Sequence, residues 1–381
     1  MQTVFAQFIK RYWGGNMDQK SNEIESFSEL FAKSKAIIQA ARDITGRVAN
    51  LTTVISNFEI GRYIVEEEQK GKERAGYGKK VLDELATYLT EQFGRGFSRT
   101  NVASMRKFYL TYRERLKGKL LDNSGMFNLI SIVQTPSAQL DKVNFPFKLT
   151  WSHYQVLMRI ENDDEREFYE KEAIQSNWDV RTLKRQYSSS LYERLAMSRD
   201  KARVKELAEE GVTLQRAEDV LKSPFVLEFL GLDDKAAYHE SDLESAIINK
   251  LQKFLLELGK GFLFEARQKR FTFQEKNFFV DLVFYNRLLN CYVLIDLKVD
   301  ELTHQDLGQM QMYVNYFDRY VKTDEEKPTV GILLCKDSDE ALVELTLPEN
   351  ANIYAKEYKL YLPDKATLQN KLKEWLAEEE N

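Results

Sequence analysis

The sequence predicts a two-part chain: a mostly helical N-terminal domain and a C-terminal α/β domain built on a mixed sheet. Three observations carry this. From Ser28 to about Leu195, apolar residues recur at three- and four-residue intervals. Beyond about Val212, short β-branched and aromatic runs alternate with helical stretches. Between them, Ala196 to Val212 is charged and poor in large apolar residues, the composition of a linker that could extend as a helix. The expected division is a helical domain over 22–195, a charged linker over 196–212 and an α/β domain over 213–381.

In the N-terminal part, the periodicity predicts helices over Ile37–Ile55, Ile60–Glu67, Tyr77–Phe93 and Asn101–Tyr112. Gly94 to Ser98 is a short glycine-bearing link, and Ser98 suits an N-cap. Helix, tight turn and basic helix together make a helix-turn-helix pattern, with Arg106, Lys107 and Arg113 as candidate nucleic-acid contacts. An ordinary helical hairpin with a solvated basic face reads the same way. Gly118 to Lys148 loses the period and is expected to form loops with short strands, as a wing would. Three further helices follow over Trp151–Ile160, Asp164–Ser176 and Val180–Leu195. Arg181, Lys184 and Arg185 on the last give a second candidate nucleic-acid surface.

The α/β part reads as helix Ser241–Leu258, strands Phe262–Phe273, Phe278–Tyr285 and Cys291–Leu297, helix Thr303–Val321, strands Thr329–Leu334 and Ile353–Leu360, and helix Lys365–Leu376. The second and third strands flank Asn286 to Asn290 and form a hairpin. If Asn286 pairs with Cys291, counting back sets Asp281 opposite Asp296. Asp296 and Lys298 then share a face, and Leu297 points away. Two carboxylates side by side repel, and the pair is best tolerated around a cation. Hard divalent ions accept such oxygens, and an ammonium group nearby can orient a water. The arrangement suits metal-assisted phosphodiester hydrolysis, although Lys298 would equally serve as a structural partner of either acid.

Asp281 followed by Asp296-Leu297-Lys298 resembles the PD-(D/E)XK nuclease signature, with Val280 where proline is frequent. Gln309-Met-Gln-Met-Tyr313 resembles the Q-x-x-x-Y element of its RecB-like members. Leu149 to Tyr154, Asp306 to Tyr316 and Gly331 to Cys335 narrow the resemblance to the YhcG family, over nearly the whole chain from about Ala41. The resemblance implies a restriction-endonuclease-like C-terminal domain and a winged-helix-like N-terminal one. It implies catalytic roles for Asp281, Asp296 and Lys298, and site roles for Gln309, Tyr313 and Glu244. Asp281, Asp296, Glu244 and the Leu297 carbonyl become candidate ligands for Mg2+, with Mn2+ as the alternative ion. Glu244 also fits a capping box with Ser241. Gln309 equally suits a helix surface, and Tyr313 the core. Gln268 and Arg270 on the first strand are candidate phosphate contacts or simply an exposed strand face.

The expected activity is a metal-dependent nuclease acting on DNA in repair, recombination, mobile-element or defence functions. The alternative is a non-cleaving DNA-binding or protein-interaction subunit. Expected partners are DNA, a second copy of the chain in a dimer, and a protein bound through the N-terminal domain. The net charge of −5 excludes uniform coating of DNA but not a local basic patch. No run reaches the roughly 20 apolar residues of a membrane helix, so no membrane association is expected. Cys291 and Cys335 read as core residues of a cytoplasmic protein. Neither a zinc spacing nor a phosphate-binding glycine loop occurs. Met17 is an alternative start to Met1.

Overall fold

The computed structural model describes residues 50–51, 53–69, 77–116, 147–199, 202–232, 238–337, 340–348 and 350–377. They fall in two compact units, 1–155 and 156–381. The expected wing and the helix start at Ile37 lie outside the described residues.

In the first unit, helix α1 covers 53–69 without the break expected after Ile55. It is followed by α2 (Tyr77–Phe93) and α3 (Arg99–Leu116). The turn between α2 and α3 forms as expected, and the Asn101 amide donates to Ser98 Oγ at 3.3 Å. Phe58, Phe108, Tyr112, Phe147 and Tyr154 pack as one aromatic core, with neighbouring rings 5.0–6.0 Å apart. Gly61 permits the close approach of α1 to α3, because a Cβ there would sit 2.1 Å from the Met105 carbonyl oxygen.

Helix α4 (Trp151–Leu157) carries the division between the units. The second unit begins with α5 (Asp163–Gln175), α6 (Val180–Ser188), α7 (Leu191–Ala196) and α8 (Ala202–Glu210). One helix was expected over Val180–Leu195. The serines at 188–190 divide it, since their side chains compete for backbone partners. Ser189 Oγ donates to the Gln186 carbonyl at 3.1 Å, and Ser190 turns left-handed at φ 53°.

The compact units do not divide at the expected linker. Buried ion pairs tie α5 to α7 into the same body as the sheet. Arg194, fully buried, pairs with the equally buried Glu257. Lys365 reaches Glu165 and Glu193 at 2.6 and 2.7 Å. The charged segment is itself anchored, with Leu207 and Ala208 buried and the Val212 amide donating to Glu172 at 2.7 Å. Its charges lie on the outer face of a helix whose small apolar face packs on α5.

The sheet contains six strands: β1 (Phe225–Val226), β2 (Phe262–Phe273), β3 (Lys276–Asn286), β4 (Cys291–Leu297), β5 (Val330–Cys335) and β6 (Ile353–Lys359), in the order β1-β6-β5-β4-β3-β2. The β2–β3–β4 pairs are antiparallel and the β4–β5–β6–β1 pairs parallel. Phe284 and Val293 face one layer with Leu243, Ile247 and Phe254. Val283 and Leu294, one residue offset, face the other with Leu307, Met310, Val314 and Phe317, as strand alternation requires. The first layer comes from α9 (Glu240–Asn249) and α10 (Leu251–Leu258), which replace the single helix expected over Ser241–Leu258. The second comes from α11 (His304–Tyr320). Thr303 caps α11 as its spacing to Asp306 demands. At Gly331 a Cβ would stand 2.7 Å from Met310 Sδ, so glycine lets α11 close onto β5.

Short elements escaped the sequence reading, among them one strand and one helix. Strand β1 is two residues long, and α12 (Glu340–Thr346) is a seven-residue helix with Leu345 exposed. Neither is long enough to display a period. The chain ends in α13 (Lys365–Ala377).

Candidate active site

The hairpin register is the one expected. Asn286 pairs with Cys291, and the ladder runs back to Leu282 opposite Ile295. Asn286 fixes the turn, its Oδ1 accepting from the Leu288 and Leu289 amides at 3.0 and 3.1 Å. Beyond Leu282 the ladder gives way to side-chain bonding. Asp281 Oδ2 accepts from the Leu297 amide at 2.9 Å, and its Oδ1 accepts from Gln268 Nε2 at 2.9 Å. Asp281 is thus held against the end of β4, where Asp296 and Lys298 stand.

Asp296 is buried at 3% exposure. Burial, with the neighbouring Asp281 charge adding to it, pushes its carboxyl up to about 7. Lys298 Nζ lies 2.9 Å from Asp296 Oδ2, 3.5 Å from Asp306 Oδ1 and 3.7 Å from Glu240 Oε1. Burial works against its charge, but Asp296 outweighs that and holds Lys298 above the ordinary lysine range. The Lys298 amide continues the ladder to the Leu334 carbonyl at 2.8 Å, which fixes the backbone from which the side chain departs.

Gln309 and Tyr313 meet on one face of α11, where Gln309 Nε2 donates to the Tyr313 hydroxyl. That hydroxyl in turn donates to the Phe279 carbonyl at 2.8 Å. The pair pins α11 to β3 two residues before Asp281. Tyr313 is buried at 1% exposure, so its core reading and its site reading describe the same contact.

Glu244 is linked to Asp281 through one intervening side chain, Gln268. The Glu244 carboxylate accepts from Arg267 and from Gln268, the residue that also donates to Asp281. The expected Ser241–Glu244 capping box does not form. Helix α9 begins earlier, with the Asp242 carboxylate accepting from the His239 amide at 2.9 Å, and this leaves Glu244 facing the sheet. Gln268 takes a left-handed conformation, φ 47°, which places its amide between the two carboxylates. Arg270 does not join the cluster; it is exposed and bonded to Asn277 Oδ1 at 3.1 Å.

Among the described residues, no group of three or more His, Cys, Asp or Glu side chains is arranged to hold a metal. The chemistry of Asp281 and Asp296 nonetheless fits a hard divalent cation. They are adjacent oxygen donors, with Asp296 buried and Asp281 held beside it by the Leu297 amide at 2.9 Å. Magnesium needs only one or two carboxylates when water and substrate phosphate complete its shell.

The candidate nucleic-acid contacts fare unevenly. Arg106 is committed to Glu68 at 2.7 Å, and Arg113 is exposed 3.5 Å from Glu114. Lys107, Arg181 and Lys184 are exposed. Arg185 does not belong to an open basic face. Half-buried, it bonds Glu228 at 3.0 Å, lies 3.4 Å from Glu257 and stacks over Phe229, because α6 turns that side toward the sheet. Sequence reasoning missed Glu240, Asp306 and Arg267. Asp306 carried a signal in its spacing from Thr303, but the signal announced only a cap. No described helix is long and apolar enough to cross a membrane.

Comparison with known proteins identifies the family. The model of the YhcG PDDEXK nuclease domain matches residues 218–373, and that of the DUF1016 N-terminal domain matches residues 33–194. The Escherichia coli (strain K12) protein named "Putative nuclease YhcG" is 38% identical over 344 residues, covering 88% of this chain and 91% of its own. A repair endonuclease from Pyrococcus abyssi, known from its crystal structure, matches 34% of this chain and 50% of its own at 22% identity. Its TM-score is 0.22, too low to argue from.

Proposed function

Because the chain belongs to the YhcG family of PDDEXK nucleases, we propose that it hydrolyses phosphodiester bonds of DNA with magnesium bound at Asp281 and Asp296. The observation that carries this reading is the acid pair, buried Asp296 beside half-buried Asp281, with Lys298 Nζ 2.9 Å from Asp296. A cation held there polarises the scissile phosphate and lowers the pKa of a bound water. The Leu297 carbonyl is a further candidate ligand.

The protein's own groups divide the remaining work. Lys298, held in its charged form, donates a hydrogen bond to the attacking water or to a phosphate oxygen and orients it. It does not remove the proton. Gln268, donating to both Glu244 and Asp281, sets the carboxylate angle of Asp281, and Arg267 fixes Glu244 in turn. Gln309 and Tyr313 hold β3 against α11 so that Asp281 meets the end of β4. Lys107, Arg181 and Lys184 are the exposed basic side chains proposed to contact phosphates, in the cytoplasm.

A cleavage panel tests this. Linear, circular, single-stranded and branched DNA, and RNA, are offered with Mg2+ or Mn2+ to the full chain and to Lys298→Ala. Cleavage of at least one DNA by the wild type, with about a 100-fold or greater loss in the variant, is expected. Absence of cleavage on every substrate, or equal cleavage by the variant, would overturn the reading.

A further inference from the structure

Outside the acid cluster, α11 and the edge strand β2 enclose an open groove of about 320 Å³. Phe271 and Phe273 form the strand side, and Gln311, Asn315, Tyr316, Arg319 and Tyr320 lie on the helix side. Two of its four rings are strongly exposed, while Phe271 is buried at 6%. Phe273 is 45% exposed and Tyr320 64%. Phe271 stacks face to face on Tyr316 at 4.1 Å, and Tyr316 meets Tyr320 at 5.3 Å. The same Phe271 ring contacts Tyr313 edge-on at 5.6 Å, so one side chain separates the groove from the tyrosine that pins β3 beside Asp281.

We propose that this groove takes an unpaired nucleobase of the strand engaged at the acid cluster, so that the favoured substrate is single-stranded or carries an unpaired segment. The inference rests on the nuclease reading above and adds the substrate class to it. Exposed aromatic rings such as Phe273 and Tyr320, flanking the Phe271–Tyr316 stack, are what sequence-tolerant stacking of unpaired bases requires, and a duplex, whose bases are already stacked, cannot use them. The charge of the groove fits the same occupant. Its lining contains no carboxylate and one guanidinium, Arg319, which is exposed and has no ion-pair partner among the described residues. Gln311 contributes a buried acceptor, Oε1, without a hydrogen-bond partner, while its Nε2 is spent on Asn315 Oδ1 at 3.3 Å. An acceptor left unpaired costs stability, and the N–H edge of a base, the ring imino group in thymine and uracil, supplies the missing donor. A second cavity, about 350 Å³ near Lys222, lacks this character because Glu172 and Asp219 line it.

The test is equilibrium binding, by fluorescence anisotropy, of the full chain carrying Lys298→Ala to prevent cleavage. The probes are an oligo(dT) dodecamer, an oligo(rU) dodecamer, an abasic strand with the same number of phosphates, and a duplex of the same length. Binding of oligo(dT) at least about tenfold tighter than the abasic strand is expected. Phe273→Ala and Tyr320→Ala should each weaken oligo(dT) about 5- to 100-fold while leaving duplex and abasic binding unchanged. Both rings are exposed, so unchanged melting temperatures will confirm that the variants fold. Arg319→Gln should weaken oligo(dT) and the abasic strand alike. The oligo(rU) arm decides whether the unpaired strand is DNA or RNA. Equal affinity for oligo(dT) and the abasic strand, or no effect of either ring, would overturn the proposal. Base-dependent binding without cleavage by the wild-type chain would instead refute the nuclease reading and leave the groove assignment standing.

Discussion

Glu257→Gln is expected to be among the most destabilising single changes in the second unit. Glu257 is fully buried, and three cations converge on it. Arg194 is in direct contact, Arg185 lies at 3.4 Å and Lys222 at 3.9 Å. Burial alone would raise the carboxyl. Arg194, Lys222 and Arg185 outweigh it and hold Glu257 at about 2, against an ordinary 4.5. That difference is worth about 3 kcal/mol, fully present above pH 4.5 and lost as pH falls toward 2. Lys222 has the opposite sense. Burial lowers it to about 8 from 10.5, so its charge destabilises the fold below pH 8, and the penalty fades as pH rises through 10.5. Glutamine keeps the shape and can still accept from the Val226 amide, which bonds Glu257 at 3.1 Å. It leaves buried cations without a counter-charge, which costs about 3–5 kcal/mol, or roughly 6–20 °C in Tm for a unit of this size. Lys222→Met should be far milder than Glu257→Gln at pH 7, because burial already disfavours the charge it removes while Arg194 and Arg185 still compensate Glu257. Thermal melts between pH 3 and 10 read all three effects. A Glu257→Gln variant within about 2 °C of wild type at pH 7, or one that keeps the acid-limb loss, would refute the reasoning.

A chain cut to begin at Val212 loses Arg185 and Arg194 and strands the same carboxylate, so it should melt far below the full chain in the same assay. Magnesium should raise the Tm of the wild type more at pH 8 than at pH 5. Asp296 sits near 7, above its ordinary 3.8, so the penalty for ionising it grows as pH rises between those values, and Asp296→Asn should remove the magnesium-dependent part of the shift. Tyr313→Phe removes the hydrogen bond to the Phe279 carbonyl and should cost about 1 kcal/mol of stability, with a fall in kcat larger than any change in KM. Arg185→Ala should lower Tm while leaving the salt dependence of DNA binding unchanged, whereas Arg181→Ala should shallow the log-log salt slope by about 0.9 on duplex DNA; the reverse pattern would restore Arg185 to the DNA surface.

The sheet strands and α11 were legible because each displays its own period over enough residues, and the Asn286–Cys291 turn set the register from which the Asp281–Asp296 juxtaposition followed. What was not legible depends on contacts between distant segments. The serines at 188–190 weaken the helix locally, but the apolar spacing of Val180–Leu195 does not place a break at Ser190. The break gains its sense from Arg194, whose Nε donates to the Ser189 carbonyl at 2.8 Å while its guanidinium reaches Glu257. The compact units divide elsewhere than at 196–212 for a related reason. A charged segment with a narrow apolar face has the composition of a linker, yet Leu207 and Ala208 are enough to dock it on α5. The family matches leave a gap between residues 194 and 218, so the sequence families change in the charged segment while the compact units divide at Gln155. Family boundaries mark where sequence similarity changes, and compact units mark where burial is shared.

The same distinction separates the residues of the site. Asp281, Asp296 and Lys298 were found because hairpin alternation constrains them within a span of 18 positions. Glu244 and Gln268 belong to different elements, and no spacing rule connects them. Their link is the Gln268 amide, which bonds both Glu244 and Asp281 from a left-handed backbone. A non-glycine residue rarely adopts that conformation without compensation, and here the compensation is the pair of carboxylates on which its amide is spent. Gln268 is therefore better read as the support of the metal-facing acid than as a phosphate contact. Replacing it should disturb Asp281 without touching substrate. Gln268→Gly frees the backbone but removes the amide, so it should fail to restore activity. Gln268→Asn keeps an amide on a shorter arm, so it should retain more. If glycine proves as active as the wild type, the amide has no part in holding Asp281, and the acid pair is positioned by the Leu297 bond alone.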